Sequence, residues 1–240
     1  MPTLIDEVVI LAAGVGSRLR PLTEEIPKAL LAVGGKTILE HQLEAAEALN
    51  PFRVTVVIGH GARKIKQRFR RQVQFVFNPF YAVANDLVSL WSVRHRIRGN
   101  FIYLHGDVLC DPEVIRQVSE SEADVCLAVQ RHECQQEEEK VVVQEKRVLE
   151  IGKEILPQRA YGEFLGIAKF SPIGAKRFQS AVKRLVQEGA IGEFCTQAIQ
   201  KMIQQGFQVE YHDIGSLHSI EIDTMDDLQK AERLCEKTLV

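Results

Sequence analysis

Apolar residues in the first half of the chain form short continuous runs instead of alternating with polar residues. The first run covers residues 8–13 and is followed directly by Gly14. A strand without alternation is typical of a sheet that is covered on both faces, as parallel sheets are. Similar runs predict further buried strands at residues 54–58, 73–77, 101–104 and 125–129.

Amphipathic stretches separate these runs and predict helices. A capping box of Thr37 and Glu40 marks the start of the first helix. Asp111 followed by Pro112 is typical of an N-cap with proline at the first helical position. Strands that alternate with helices imply right-handed crossovers and an α/β, Rossmann-like doubly wound sheet. The helices in this half are predicted at residues 37–49, 62–71 and 86–96, with one more after Asp111.

The pattern changes in the second half of the chain, where the elements are less regular. The acidic run at residues 135–139 is interpreted as a solvated turn. A second capping box, Thr224 with Asp227, opens the last helix. The elements predicted here are a β-hairpin over 140–143 and 147–151, a strand over Gly162–Phe170, a helix from Ser171, a helix over 193–205, a strand over 207–212 and a helix over 224–237.

Composition excludes several classes of protein. The 240 residues carry 30 basic and 32 acidic side chains, whereas nucleic-acid and membrane surfaces need a basic excess. The five cysteines are odd in number and form no CxxC pair, so we expect reduced thiols and neither a disulfide framework nor a zinc site. Residues 1–7 lack the basic start of a signal peptide, and no apolar run is long enough to cross a bilayer. We expect a cytoplasmic protein.

A glycine-rich segment follows the first predicted strand. Residues 11–19 read LAAGVGSRL, and residues 27–31 read PKALL. Glycine lets backbone N–H groups approach phosphate oxygens without a Cβ in the way. Arg18 and Lys28 add fixed positive charge at the same end of the strand. The segment does not fit GxGxxG, because Leu19 stands where the third glycine would be, which argues against a dinucleotide-binding oxidoreductase.

These segments resemble the nucleotidyltransferases that act on sugar phosphates and phosphocholine. The family pattern is AAGxGxRL followed by PKxLxxVxGKPxL, and here Thr37 replaces the usual proline. The resemblance continues through NPFY at 78–81, with Asp86 in place of a common second asparagine. It then covers HGD at 105–107, the strand ending at Phe170, and EID at 221–223.

The resemblance implies a Mg²⁺-dependent reaction in which a nucleoside monophosphate is joined to a small phosphorylated acceptor and pyrophosphate leaves. Independently, attack on an α-phosphate builds negative charge, which Mg²⁺ held by carboxylates can offset. Asp107 and Asp223 are the expected metal ligands, and Arg18 and Lys28 the expected catalytic cations. His105 is interpreted as a structural or pocket-lining residue. The residues expected to bind the nucleotide are Leu11, Ala12, Ala13, Gly14, Gly16, Ser17, Arg18, Lys28, Asn85, Ser89 and Gly106.

The acceptor side is expected to use Lys153, Tyr161, Phe194 and Glu221. Lys153 lies near the place where relatives bind the acceptor phosphate with a lysine, and Glu221 could share a face with Asp223. A quaternary ammonium would need an aromatic cage. The candidate walls for such a cage are Tyr161, Phe164, Phe194 and Tyr211.

The serine before Arg18 resembles cytidylyltransferases for phosphocholine or inositol phosphate, so CTP is the favoured nucleotide, with a backbone carbonyl at residues 11–13 or near His105 reading the base. Phosphocholine, a phosphonate, an inositol phosphate and a sugar 1-phosphate remain open as acceptors. One alternative is a sugar-1-phosphate nucleotidyltransferase using UTP or GTP. The other is a non-catalytic nucleotide-binding regulatory homologue.

We expect one domain over residues 1–240. Within it, residues 1–130 would form the nucleotide-binding core, residues 131–215 an acceptor-side elaboration with a β-hairpin and helical lid, and residues 216–240 the second metal-binding step and the C-terminal helix. Small molecules are the expected partners, without nucleic acid or membrane, and self-association is left open.

Overall fold

The computed structural model describes residues 4–238, with side chains through Cys235. Residues 1–3 and 239–240 lie outside this range. They include the ends of the expected domain and the first residues of the segment examined for a signal peptide. The strands are β1 Glu7–Ala12, β2 Ala32–Val33, β3 Lys36–Thr37, β4 Arg53–Ile58, β5 Gln74–Phe77, β6 Phe101–His105, β7 Val108–Cys110, β8 Val125–Gln130, β9 Lys140–Gln144, β10 Arg147–Gly152, β11 Gly162–Phe170, β12 Glu210–Asp213 and β13 Ser219–Glu221. The helices are α1 Leu22–Glu25, α2 Ile38–Glu47, α3 Ala62–Phe69, α4 Asp86–Val93, α5 Pro112–Ser119, α6 Pro172–Gln187, α7 Thr196–Gln204 and α8 Met225–Thr238.

A nine-stranded mixed sheet runs through the described residues. Its order is β5-β4-β1-β6-β11-β8-β12-β10-β9. β1 is parallel to β4 and β6, whereas β11 is antiparallel to β6 and β8. The predicted hairpin forms between β9 and β10. The sheet is therefore α/β and mixed, with its parallel part built from the continuous apolar runs.

Both faces of the sheet are covered, as the lack of alternation predicts. Along β1, Val8 and Ile10 belong to the core on one side, and Val9 and Leu11 to the core on the other. Residues from α2, α3 and α5 complete the first core, and residues from α4, α6 and α7 complete the second. Burial on both faces explains why β1 contains no polar position between Val8 and Ala12.

A small two-stranded sheet brings the end of the chain to the middle of the fold. β13 pairs antiparallel with β7, with Glu221 opposite Val108. The Ile222 N–H also donates to the Asp107 carbonyl at 3.0 Å. The capping box of Thr224 and Asp227 starts α8 immediately afterwards. Asp107 and Asp223, far apart in sequence, are thereby placed side by side.

Asp111 is the N-cap residue of α5 and Pro112 is the first helical residue, as predicted, but the Asp111 carboxylate makes no capping bond and instead accepts from the His218 backbone N–H at 2.8 Å. Two other local expectations are wrong. The helix predicted from residue 193 begins at Thr196, and the N–H of its N-cap residue, Cys195, donates to an Asp86 carboxylate oxygen at 2.9 Å. The run at 135–139 is not wholly solvated, since Glu139 is buried.

Among the helices between residues 4 and 238, none combines the length and the apolar character that crossing a bilayer requires.

Candidate active site

A cleft of about 270 Å³ opens at the carboxyl ends of β1 and β6, where ligands bind in open α/β sheets. The segments after both strands, the start of α4 and the end of β13 form its walls. Every residue expected to contact the nucleotide lines it, as do Lys153, Phe194 and Glu221 from the acceptor set. Further lining residues are Ala29, Tyr81, Ala84, Asp86, His105, Asp107, Glu137, Glu139, Phe164 and Asp223.

Two glycines shape the cleft for different reasons. Gly16 has φ +66°, and a Cβ there would lie 3.1 Å from Thr23 and 3.2 Å from Lys28. Gly106 allows β1 and β6 to approach, because a Cβ would lie 2.4 Å from the Leu11 carbonyl oxygen. By contrast, a Cβ at Gly14 would meet no atom within 4 Å. The space beside Gly14 is therefore open to a ligand.

Lys28 joins the two expected metal ligands. Its Nζ lies 2.8 Å from Asp107 Oδ2 and 2.5 Å from Asp223 Oδ1, while Arg18 lies 2.7 Å from the other oxygen of Asp223. Burial alone would lower the pKa of Lys28, but Asp107 and Asp223 outweigh burial and raise it. Burial raises the pKa of Asp107, but the charge of Lys28 lowers it below its ordinary value. These pKa shifts favour a charged Lys28 beside an ionised Asp107.

The turn that carries Asp107 is fixed by hydrogen bonds from Gln42, a buried residue of α2. Gln42 Nε2 donates to the carbonyls of His105 at 2.7 Å and Val108 at 2.8 Å. Sequence reasoning missed Gln42, because a polar residue on the inner face of a helix gives no sign of its distant partners. Its two bonds fix the position of Asp107 relative to β6.

The carboxylates fit a hard divalent cation. Asp107 Oδ1 is buried and has no hydrogen-bond partner within the described residues. Donor atoms of His105, Asp107 and Glu221 lie within 4.8 Å of one another. Partial removal from water and the neighbouring Asp107 raise the pKa of Glu221 to about 7. Several carboxylate oxygens, one of them unpartnered, are the donor set that Mg²⁺ prefers.

Glu139 is a site residue that sequence reasoning missed. One carboxylate oxygen accepts from the Thr196 hydroxyl at 3.1 Å, and the other is buried without a partner. Burial raises the pKa of Glu139 to about 7. Within a run of three glutamates, only the pairing of β9 with β11 decides which side chain turns inward. No local signal distinguishes it.

His105 lies in a polar cluster on the floor of the cleft. Its Nε2 is 3.2 Å from Asp86 and 3.3 Å from the Cys195 sulfur. Burial alone would lower the pKa of His105, but Cys195 and Asp86 raise it well above its ordinary value. Asp86 is thus a charged partner for His105, at the position where the resemblance leads one to expect asparagine. His105 is both structural and pocket-lining, in agreement with its interpretation.

Asn85 is the N-cap residue of α4, but neither its side chain nor that of Ser89 makes a capping hydrogen bond. Asn85 Nδ2 donates to the Gly192 carbonyl at 2.6 Å and ties α4 to the segment before α7. The Ser89 hydroxyl accepts from Asn78 Nδ2 at 3.1 Å. Both line the cleft from positions fixed by these bonds.

On the acceptor side, Lys153 Nζ lies 4.3 Å from the centre of the Phe194 ring. The structure does not bring Tyr161 to the cleft. Its hydroxyl donates to Asp213 at 2.8 Å and its ring packs against Tyr211. Of the four aromatic residues considered for a cage, Phe164 and Phe194 line the cleft, whereas Tyr161 and Tyr211 belong to a separate contact.

Three of the carbonyls expected to read the base already accept hydrogen bonds. The Leu11 carbonyl accepts from Gly106, the Ala13 carbonyl from His60, and the His105 carbonyl from Gln42. A base bound by one of them would have to use the second lone pair of the oxygen.

A glycine-rich loop, two cations and convergent carboxylates at the carboxyl edge of this sheet define an enzyme of the nucleotidyltransferase class. Residues 8–197 match the MobA-like NTP transferase domain, and the chain belongs to that family.

Relatives cover nearly the whole chain. Choline-phosphate cytidylyltransferase from Streptococcus pneumoniae is 25% identical over 236 residues, covering 95% of this chain and 97% of the relative. The bifunctional IPC transferase and DIPP synthase of Aquifex aeolicus is 24% identical over 240 residues, which are 99% of this chain and 53% of the relative. This chain thus spans about half the length of the Aquifex protein.

Solved structures share the α/β nucleotidyltransferase fold with its mixed sheet. The inositol-1-phosphate CTP transferase from T. maritima superposes with a TM-score of 0.83 at 22% identity, covering 99% of this chain and 97% of that one. CTP:phosphocholine cytidylyltransferase from Streptococcus pneumoniae superposes with a TM-score of 0.84 at 23% identity, covering 95% and 98%. A UDP-glucose pyrophosphorylase has the same fold at 14% identity, with a TM-score of 0.80 and coverage of 98% and 100%.

Proposed function

We propose that this enzyme is a Mg²⁺-dependent cytidylyltransferase. It transfers CMP from CTP to a small phosphorylated or phosphonate acceptor, such as phosphocholine, and releases pyrophosphate. The observation that carries this proposal is the meeting of Lys28, Asp107 and Asp223 beside the glycine loop.

The triphosphate of the nucleotide binds at the loop after β1. Gly14 leaves open space there, and backbone N–H groups of the loop can face phosphate oxygens. Arg18 stands at the rim with 61% of its side chain exposed, where it can reach a phosphate.

Asp107 and Asp223 hold the metal, and Glu221 is close enough to contribute. A bound Mg²⁺ supplies charge that offsets the negative charge on phosphate oxygens during transfer. The ammonium of Lys28 lies between the same carboxylates and is fully charged, so it can stabilise the α-phosphate in the transition state.

The acceptor enters from the side of Lys153 and Phe194, in a cleft that Glu139 and Glu221 also line. Lys153 orients the acceptor phosphate. That phosphate is already an anionic nucleophile, so no side chain has to remove a proton before in-line attack. Catalysis then consists mainly of positioning and electrostatic stabilisation. Residues 131–215 form the acceptor-side part and lid of one domain.

CTP is favoured over other nucleotides because relatives that cover most of the chain are named as choline-phosphate cytidylyltransferase and IPC transferase. A sugar-1-phosphate nucleotidyltransferase using UTP or GTP is the second candidate. The shared fold with a UDP-glucose pyrophosphorylase keeps it open.

A pyrophosphate-release assay that crosses CTP, UTP, ATP and GTP with a panel of phosphorylated acceptors tests the proposal. We expect CTP to give turnover with a phosphoalcohol or phosphonate. Turnover with UTP or GTP and a sugar 1-phosphate would replace the cytidylyl assignment by the second candidate. Binding of a nucleotide without turnover for any pair would indicate a non-catalytic homologue. In the same assay, Lys28→Ala should reduce turnover. Lys36→Ala, which changes an exposed lysine outside the cleft, is its control.

A further inference from the structure

The connection between β8 and β9 gathers three kinds of metal-binding atom outside the catalytic carboxylates. His132 Nε2, Cys134 Sγ and a carboxylate oxygen of Glu138 all lie within 4.8 Å of one another. His132 Nε2 is 3.1 Å from Glu138 and 3.8 Å from the carboxylate of Glu163 on β11. His132, Cys134 and Glu138 therefore form a compact donor group, and Glu163 of β11 approaches it at His132.

The connection is held in a defined conformation by its own hydrogen bonds. The buried Lys140 ammonium donates to the carbonyls of Gln136 at 2.7 Å and Glu138 at 2.8 Å. The Gln135 N–H donates to Glu138 Oε2 at 2.8 Å. Glu163 is fixed separately, because its position in β11 pairs with both Gln130 and Lys140. Ligands carried by a braced loop and a central strand are preorganised.

The donor group with Glu163 combines an imidazole, a thiol and two carboxylates. The neighbouring Lys140 directs its ammonium to backbone carbonyls instead of to the carboxylates.

We propose that His132, Cys134, Glu138 and Glu163 form a second metal site that binds a transition-metal ion of the Zn²⁺ type. Zinc binds nitrogen, sulfur and oxygen ligands tetrahedrally at about 2.0–2.3 Å, which sets neighbouring donors about 3.3–3.8 Å apart. The two contacts of His132, at 3.1 Å and 3.8 Å, are already near this spacing. Mg²⁺ prefers oxygen ligands and disfavours a thiolate and an imidazole.

This site departs from the expectation that the cysteines bind no zinc. The chain spacing, His-x-Cys-x₃-Glu followed by a glutamate on a later strand, is not one of the common zinc patterns. It becomes a candidate because the fold of the connection brings His132, Cys134 and Glu138 together and β11 lies beside them. On binding, the Cys134 thiol loses its proton to solvent and the metal bonds to the thiolate.

The same connection carries Glu137 and Glu139, which line the catalytic cleft. Metal binding would join the connection to β11 and hold these two side chains at the cleft. We therefore expect slower amide hydrogen exchange over residues 131–139 when Zn²⁺ is present.

The test uses the full-length protein freed of metal by a chelator and titrated with Co²⁺, with no nucleotide present. A thiolate ligand gives a near-ultraviolet charge-transfer band that the catalytic carboxylates cannot give. We expect one Co²⁺ per chain with this band, displacement by Zn²⁺, and loss of the band in Cys134→Ala. Cys110→Ala, which changes a half-buried thiol on β7, should keep it. His132→Ala, a change at an exposed position, should weaken Co²⁺ affinity by more than about tenfold.

Absence of the band in the wild-type protein, or its persistence in Cys134→Ala, would overturn the proposal. Equal loss of the band in Cys110→Ala, or unchanged affinity in His132→Ala, would do the same. Because turnover is not measured, these outcomes are independent of whether the enzyme proves to be a cytidylyltransferase.

Discussion

The ammonium of Lys28 lies 2.5 Å from a carboxylate oxygen of Asp223, and the same nitrogen contacts Asp107 at 2.8 Å. The three side chains come from the turn after Pro27, the turn after β6 and the segment after β13. A cation thus sits between two carboxylates at the place where phosphate chemistry would occur. Lys28, Asp107 and Asp223 are expected to act as one unit.

The two cations of the loop should affect kinetics differently. Arg18→Ala removes a charge-assisted phosphate contact, so we expect KM for the nucleotide to rise about 10- to 100-fold. Lys28→Ala should lower kcat about 10²- to 10³-fold with a smaller effect on KM, because its charge acts chiefly in the transition state. Steady-state kinetics of both variants, with Lys36→Ala as control, check this. Wild-type kinetics in both would mean that the loop is only a structural turn.

Alanine substitutions at Gly106 and Gly14 should have different effects, the first on the stability of the fold and the second on nucleotide binding. In Gly106→Ala the new Cβ would lie 2.4 Å from the Leu11 carbonyl oxygen, so we expect a loss of about 1–3 kcal/mol in the free energy of unfolding. In Gly14→Ala the Cβ meets open space, so stability should be retained while nucleotide binding weakens. Urea denaturation and nucleotide titration of both variants make the comparison. Equal stability of the two would contradict the close approach of β1 and β6.

Glu139 should make stability depend on pH. Its pKa is about 7 in the folded protein against an ordinary value of 4.5, so the folded state binds the proton more tightly. The stability this provides is present below about pH 4.5 and is lost as pH rises through about 7. Between pH 5 and pH 8 the metal-free wild-type protein should lose up to about 3 kcal/mol relative to Glu139→Gln.

Urea denaturation at the two pH values measures this difference. Glu137→Gln, at an exposed neighbouring position, is the control and should follow the wild-type protein. Parallel pH dependence of wild type and Glu139→Gln would show that Glu139 is not held in its buried position.

Local patterns predicted the elements better than they predicted the contacts of the site. Gly162–Phe170 forms the predicted strand, and both capping boxes form, because apolar runs and capping residues act over a few positions. The pattern predicts a solvated Glu139, but the direction of this side chain depends on the pairing of β9 with a distant strand. The resemblance predicts Tyr161 in the acceptor pocket, but its hydroxyl donates to Asp213 on another strand.

Local sequence patterns also do not predict how the site residues come together in space. Sequence motifs indicated that Asp107 and Asp223 are functional, but the bond from Ile222 to Asp107 that aligns them is a tertiary contact. The positions of Gln42 beneath the Asp107 turn and of Asp86 beside His105 also arise only from packing.

CTP should be preferred over UTP. The two bases differ at the 4-position, where an amino donor replaces a carbonyl acceptor. In a site that recognises cytosine, a protein acceptor pairs with the 4-amino group of the base. When UTP binds, that buried acceptor faces a carbonyl and stays unpaired, which costs about 1–3 kcal/mol, or about ten- to over a hundredfold in kcat/KM. ATP and GTP should be excluded by their size. Comparison of kcat/KM for the four nucleotides with the best acceptor measures this, and a preference for UTP or GTP would contradict it.

The joint role of Asp107 and Asp223 is tested most directly by pyrophosphate release in the presence of Mg²⁺, CTP and acceptor. Asp107→Asn and Asp223→Asn keep the size of each side chain but remove its charge. With the fold verified by circular dichroism, we expect each variant to lose at least about 10²- to 10³-fold of the wild-type rate, and chelation of the metal to abolish that rate. Wild-type rates in either folded variant, or a rate unaffected by chelation, would contradict a shared metal site at these two carboxylates.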